Sequence, residues 1–339
     1  MTARALMRLA ALLAAALAGG ALAESLGLPA GWLLGATAAS LVLAGLGHDP
    51  NPPNGLRDAA FLTLGVMLGS SVDEGTLQEA ARWPASFVIL AAAVVAMMVL
   101  GARLLRQGFG YDANTARLAS APGALSAVMA TALSTPGCDV GRVALLQTLR
   151  LIVLVAFLPV ALDAALPPPA ALPAPEILRD PFELALVFAA GGLCGWLLTR
   201  IKTPAGYVIG GLLASMTLHL TGVVHGRPSV WFAAPAYVVV GALIGARFLG
   251  VTRAELRAAF GAAAALVVLL LAVGGIGAAL ASWASGVPFA QAALAFAPGG
   301  AEAMAVIGLT MGFEAAYVGS HHIARILALS LTAPFWLKR

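Results

Sequence analysis

Two arginines define the chemistry open to this chain. Arg150 and Arg325 stand in opposite halves of the sequence, each inside a run otherwise suited to lipid. Three residues before each lies a side chain that can hydrogen bond in both directions, Gln147 in one case and His322 in the other. An i, i+3 spacing puts each pair on one helical face. Arg150 follows Asp139, and Arg325 follows Glu314, by eleven residues. On a helix that is roughly 16 Å, about half of a ~30 Å hydrocarbon core. A guanidinium at that depth costs at least about 2.5–3.5 kcal/mol, so it must line a cavity or meet a partner. Either Arg150 and Arg325 hold an anionic solute group, or they form an Arg–Glu network with Glu302 that locks the backbone around them.

The other ionisable groups lie in "FAPGGAEAMAVIGLTMGFEAAYVGSHHIARIL", from Phe296 to Leu327: Glu302, His321 and His322, with Ser126 as the earlier counterpart of Glu302. Glu302 with His321 or His322 is expected to carry a coupled proton, because histidine titrates near neutrality. The other reading of His322 is a neutral ring that holds the backbone by hydrogen bonds. His321 is about 100° around the helix from His322, so only one of them faces the site squarely, and His322 is the one expected there. Pro122–Gly123 and Pro298–Gly299–Gly300 interrupt two apolar segments. Proline withholds a donor, and the N–H groups that open the next half-helix suit an anion. Gly123, Gly299, Gly300, Ser126 and Gln147 therefore join the two arginines as expected solute-binding residues, with Pro122 and Pro298 as the breaks. Asp139 and Glu314 start helices, where the dipole favours a carboxylate, and they read as caps. Cys138 and Cys194 stand singly, while His48, His219 and His225 fall near span ends or in a loop. That pattern supplies no metal-ligand cluster, so neither metal, cofactor nor enzymatic activity is expected.

The elements that must position these groups are membrane helices. Of 339 residues 61% are hydrophobic and 10% charged, and the mean hydropathy is +0.95, whereas about a quarter of a soluble domain is charged. Trp83 to Ala102 is 20 residues without a charge and Ala258 to Ala301 is 44; about 20 apolar residues cross a bilayer core. The net charge of +4 comes from Lys and Arg scattered singly between apolar segments, which reads as a topology signal and excludes a nucleic-acid surface. Arg4 and Arg8 followed by "LAALLAAALAGGALAE" also have the features of a signal peptide. Gly19–Gly20, matched approximately by Gly191–Gly192 in a later span, favours an integral helix.

That match belongs to a duplication. "PAGWLLG" (Pro29 to Gly35) recurs as "PAGYVIG" (Pro204 to Gly210), a displacement of 175, and "LASAPGALSA" (Leu118 to Ala127) recurs as "LAFAPGGAEA" (Leu294 to Ala303), a displacement of 176. Arg150 and Arg325 are partners at the first of these displacements. Gly65 and Gly69 return as Gly241 and Gly245, a small-xxx-small pattern for helix packing. Residues 1–164 form the first membrane repeat and 181–339 the second, joined by a Pro-rich linker, 165–180, that cannot continue a helix. Apolar segments are expected near 5–23, 29–47, 57–72, 84–102, 113–134 and 140–162, and again near 183–199, 204–223, 230–247, 258–285, 289–311 and 315–337. If the broken fifth segment of each repeat enters and leaves on one side, Arg4, Arg8, Arg103, Arg106, Arg117, Arg200, Lys202, Arg247, Arg253, Arg257, Lys338 and Arg339 all become cytoplasmic, as the positive-inside rule asks. Asp73, Glu74, Glu79 and the linker then face outward. Five crossings per copy invert the second copy relative to the first, the layout of secondary transporters. A broken fifth segment that crosses would serve almost as well. The fold expected is all-α and polytopic, two inverted repeats of five spans each plus a re-entrant or broken helix, about 10 to 12 transmembrane segments in all.

The paired segments Ala121 to Pro159 and Ala297 to Pro334 resemble the duplicated motif of the bacterial AbrB membrane-protein family, over nearly the whole chain. Labels attached to that family include ammonia monooxygenase and regulator of gene expression, and it is similar to the NhaA-like cation-antiporter and anion-transporter superfamily. Residues and resemblance together lead us to expect a secondary transporter of a small, anionic solute by alternating access, coupled to protons. It would lie in the inner (cytoplasmic) membrane of a bacterium with both termini cytoplasmic. Its partners would be the solute, the bilayer and, at most, a second copy of the chain. The alternatives are a membrane sensor or regulator acting on gene expression indirectly and, behind both, a membrane monooxygenase.

Overall fold

A computed structural model of the chain describes residues 3–49, 51–72, 74–123, 125–165 and 176–332. Each expected apolar segment is a helix. The first half contains α1 (Ala3–Ser25), α2 (Gly31–Gly45), α3 (Asn54–Gly69), a short α4 (Glu74–Ala80) and α5 (Pro84–Phe109). It continues with α6 (Ala113–Ser120), α7 (Leu125–Ser134) and α8 (Val140–Ala165). The second half contains α9 (Pro181–Arg200), α10 (Gly206–Leu220), α11 (Val230–Ala246), α12 (Arg253–Ser285), α13 (Phe289–Phe296), α14 (Ala301–Thr310) and α15 (Ala315–Thr332). The fifth segment of each half is divided at its Pro-Gly, into α6 and α7 and into α13 and α14. Among the described residues no strand forms; an isolated bridge joins Ile177, at the linker's end, to Arg227. Residues 166–175 of the expected linker, and Asp73, Lys338 and Arg339 of the expected topology, lie outside the described residues.

Local signals fix the helix ends. Asp112 accepts from the N–H groups of Asn114 and Thr115 at the start of α6, and Asp180 does the same for Phe182 ahead of Pro181 in α9. Thr252 and Glu255 close a capping box on α12. Helices Pro84–Phe109, Val140–Ala164, Pro181–Arg200, Arg253–Ser285 and Arg8–Ser25 are long and apolar enough to cross a membrane, and shorter apolar helices accompany them. Trp231, Trp283, Val88 and Leu331 point outward; such apolar surface is costly in water and expected in lipid. The protein is an all-α polytopic membrane protein.

Two compact units divide the chain, each taking helices from both halves. The first comprises Met1–Glu79, Pro159–Gly250 and Ala305–Ala316, and the second Ala80–Leu158, Val251–Met304 and Tyr317–Arg339. In the first unit α1 packs on α2 and α9 on α10, while α11 packs on α2 and α3 on α10. Glycines set these crossings. A Cβ on Gly65 would lie 2.3 Å from the Val208 carbonyl oxygen, and one on Gly241 2.8 Å from that of Leu33. The α1–α2 crossing at Gly19 and Gly35 has its twin where Gly210 meets Cys194 and Gly195. The counterpart of Gly19–Gly20 is thus Cys194–Gly195, at a displacement of 175, and the expected match to Gly191–Gly192 is corrected by one helical turn. Cys194 is a small residue at a helix crossing. In the second unit α5 packs on α12 and α6, and α12 on α13. Gly101 backs onto Ser120, and at the equivalent positions of the second repeat Gly277 backs onto Phe296.

Candidate functional site

The two breaks are the same turn made twice. Gly123 N–H donates to the Ala121 carbonyl at 3.1 Å, and Gly299 N–H to that of Ala297 at 2.8 Å. Pro122 is buried in the first turn and Pro298 in the second. Gly123 has φ +104°, a region L side chains rarely enter. A Cβ there would stand 3.4 Å from Arg325 Nε and 3.5 Å from the Gly299 carbonyl oxygen. The breaks therefore lie side by side within the second unit.

Each break releases carbonyls that no helix satisfies, and the paired side chains supply the donors. Gln147 Nε2 donates to the carbonyls of Leu118 (2.9 Å) and Ala121 (3.0 Å), and Arg150 donates through Nη1 to Ala121 (3.0 Å) and through Nη2 to Gln147 Oε1 (2.5 Å). In the second copy Arg325 donates through Nη1 to the Ala297 carbonyl (2.9 Å) and through Nη2 to that of Gly299 (3.3 Å) and to His322 Nδ1, while His322 Nε2 meets the Leu294 carbonyl (3.1 Å). Leu118 and Leu294, Ala121 and Ala297, are equivalent positions of the repeat. All four side chains are buried.

The His322 tautomer follows from its partners. A guanidinium only donates, so Nδ1 accepts from Arg325 and the ring's proton sits on Nε2, facing Leu294. Protonating Nδ1 would set N–H against N–H. Gln147 presents the same acceptor and donor with an amide that does not titrate. Of the two sequence readings of His322, the neutral ring holding the backbone is the one its bonds describe. His322→Gln is accordingly expected to keep thermal stability within about 1 kcal/mol of wild type, and His322→Leu, which removes Arg325's acceptor and Leu294's side-chain donor, to lose about 1–3 kcal/mol. Calorimetry in detergent measures the difference; equal losses in both variants would refute the assignment.

Glu302 stands in the first turn of α14, half-buried, with its carboxylate near Gly300. It forms no ion pair with Arg150 or Arg325, and among the described residues no carboxylate does. The expected Arg–Glu network is therefore not what holds the breaks; the arginines hold backbone carbonyls instead. Gly300 lies against Leu151 of α8. Ser126 falls in the first turn of α7, and its side chain lies outside the described residues. Among the described residues, Nε of Arg150 and Nε of Arg325 are buried donors without a partner. Asp139 accepts from Arg142 N–H at 3.0 Å, as a cap does.

His321 points elsewhere, into a cage that sequence reasoning missed. Its Nε2 lies 2.7 Å from Ser86 Oγ, which is 2.5 Å from the Tyr317 hydroxyl, and its Nδ1 donates to the Tyr317 carbonyl at 2.8 Å. The ring stacks on Phe87 at 4.2 Å between centroids, with Tyr317 at 4.0 Å, Phe296 at 6.1 Å and Trp83 at 6.5 Å. Tyr317 could have been found from its i, i+4 spacing to His321; nothing in the sequence marks Ser86. The remaining histidines are separate, His219 for example bridging the carbonyls of Ser215 and Gly226. Among the described residues no group of three or more His, Cys, Asp or Glu is placed to hold a metal. A cleft of about 650 Å³ in the first unit, with Glu24, Trp32, Arg227 and Tyr237 in its walls, contains none of the expected site residues.

Residues 32–339 match the family described as "Transition state regulatory protein AbrB". The chain is also similar to a curated protein of Bacillus subtilis (strain 168), "Uncharacterized protein YhjN", at 27% identity over 94% of this chain and 90% of that protein.

Proposed function

The chain belongs to the AbrB family, and from that premise we propose that it is a secondary carrier of a small anionic solute, working by alternating access in the inner (cytoplasmic) membrane with both termini cytoplasmic. One observation carries the reading. Two buried guanidiniums, one from each repeat, converge on adjacent backbone breaks with no carboxylate paired to either among the described residues, and each keeps a buried Nε–H without a partner. Uncompensated buried positive charge is among the costliest arrangements in a protein, and a passing anion offsets it while accepting the spare donors. Gly123 places no side chain beside Arg325 Nε. Proton coupling belongs to the same reading. Glu302, beside the second break, and His321, in its own cage, are ionisable groups that form no hydrogen bond with Arg325.

Thermal unfolding of the purified chain with chloride, sulfate, phosphate, succinate or glutamate tests the anion site. At least one is expected to stabilise the protein, by about 2.7 kcal/mol when present at a hundredfold excess over its dissociation constant. Arg150→Lys and Arg325→Lys should weaken that gain, because an ammonium cannot reproduce the guanidinium's fork. No stabilisation by any of the five, or equal stabilisation of the Lys variants, would overturn the site. The family description favours a second reading, a membrane-bound regulator that senses the anion without moving it. Counterflow in proteoliposomes separates the two: binding without counterflow points to the sensor.

A further inference from the structure

We propose that His321, Ser86 and Tyr317 form the proton-binding site of this protein, separate from the arginine-held breaks. The proposal rests on the carrier reading only for what the proton is coupled to; the site itself rests on an asymmetry between the repeats. At the displacement of 175, His321 corresponds to Leu146. At 176, the displacement that relates Gly101–Ser120 to Gly277–Phe296, the residues Trp83, Ser86 and Phe87 correspond to Ala259, Ala262 and Ala263. In the first copy Leu146 belongs to one buried hydrophobic cluster with Ala262, Ala263 and Leu266, while Arg142 and Ser120 stand at the positions equivalent to Tyr317 and Phe296. The same packing position in the second copy holds an imidazole, a serine hydroxyl and a tyrosine hydroxyl, all fully buried inside aromatic rings. Leucine and alanine fill the places of His321 and Ser86 in the same chain, so packing alone does not call for an imidazole against a hydroxyl there.

The bonds form a directional relay. Nδ1–H is committed to the Tyr317 carbonyl, which leaves Nε2 as an acceptor from Ser86, and Ser86 in turn accepts from Tyr317. Loading moves one proton. Nε2 takes the Ser86 hydroxyl proton, Ser86 takes that of Tyr317, and Tyr317 takes the one entering proton, after which each hydrogen bond between the three runs the other way. No bond is lost on loading, unlike at His322. The groups facing His321 are Trp83, Ser86 and Phe87 from α5, Phe296 from α13, and Tyr317, Ser320, His322 and Arg325 from its own helix. Among the described residues no carboxylate faces the ring, so the loaded ring carries a charge uncompensated by them and favours a different arrangement of the cage.

The test reads Trp83, which packs edge-on against Tyr317 at 5.3 Å. Tryptophan emission of the full chain in nanodiscs is followed from about pH 8 to about pH 4, a range spanning histidine titration, with Trp83→Phe as the blank. A reversible transition is expected in the wild type and in His322→Gln, and its loss in Trp83→Phe and His321→Gln. A transition that persists in His321→Gln, or none in the wild type, overturns the proposal. Should His321→Gln fail to fold, Ser86→Ala keeps the imidazole and removes the relay; its transition should move in midpoint, and an unmoved midpoint overturns the proposal equally. Pyranine-loaded proteoliposomes given succinate, glutamate, sulfate or phosphate address coupling. His321→Gln should exchange the anion that the wild type exchanges while losing the accompanying pH change. Anion movement without a pH change in the wild type overturns the coupling. If none of the four moves, the carrier reading fails, and the proton site is judged by Trp83 emission alone.

Discussion

Arg325→Leu is expected to destabilise the protein by about 2–6 kcal/mol, more than Arg150→Leu at about 1–3 kcal/mol, although the two residues are twins in sequence. The difference follows from what each side chain leaves behind. Without Arg325, the Gly299 carbonyl and His322 Nδ1 lose their donors, and the Ala297 carbonyl keeps only the Gly299 N–H. Without Arg150, Gln147 Oε1 is stranded, but the Ala121 carbonyl still receives Gln147 Nε2 and Gly123 N–H. Removing a buried charge relieves its desolvation, and a well-packed apolar replacement is often neutral when both partners of an ion pair are exchanged. Here the partners are mainly backbone and cannot be exchanged, so the loss prevails. Against a net stability of about 5–15 kcal/mol, Arg325→Leu puts folding itself at risk. Unfolding in detergent, or the folded yield after extraction, measures it. A reversed order, with Arg150→Leu the worse, would show that the arginines do not serve the breaks in this way.

What was legible in the sequence was whatever occurs twice. A Pro-Gly in an apolar helix is weak evidence alone; at Pro122–Gly123 and again at Pro298–Gly299 it places both breaks, and the Gln147–Arg150 and His322–Arg325 spacing places their donors. The lengths of apolar runs set the helices for the same reason, since a bilayer imposes one scale on all of them. Contacts across long separations left no such mark. Ser86 lies 235 residues from His321, and a serine in the first turn of an apolar helix reads as any other. Glu302 reads as a partner of the arginines because it stands at the tip of the second break, but the released carbonyls hold the guanidiniums instead. Sequence also favoured His322 over His321 as the proton carrier, by asking which ring faces the break. Facing the break is what commits His322: its Nδ1 accepts from a guanidinium that can only donate, whereas the Nε2 of His321 meets a hydroxyl that can either donate or accept. The duplication that located the site thus also shows, through Gln147, which of its histidines does a task that needs no titration.

Gly35→Val should cost more than about 3 kcal/mol, beyond the usual range for overpacking, and Gly210→Val about the same. A Cβ at Gly35 would sit 1.9 Å from the Gly19 carbonyl oxygen, and one at Gly210 2.2 Å from Gly195 N. Both obstacles are helix backbone, which cannot rotate aside as a side chain can, so α1 must part from α2, or α9 from α10. Separation forfeits the dispersion contacts along the whole crossing, and in lipid no hydrophobic force restores them, since acyl chains cover the exposed faces equally well. The reciprocal position tolerates more: Gly19 corresponds to Cys194, so the second crossing already accepts a small side chain where the first has none. Gly19→Ala should therefore cost less than Gly35→Val, even though its Cβ would lie 2.5 Å from the Gly35 carbonyl oxygen. Thermal unfolding of the three variants gives the order, and limited proteolysis of the α1–α2 turn reports whether the pair has parted. A Gly35→Val protein as stable as the wild type would mean that α1 does not cross α2 at these glycines, and the equivalence of the two crossings would fall with it.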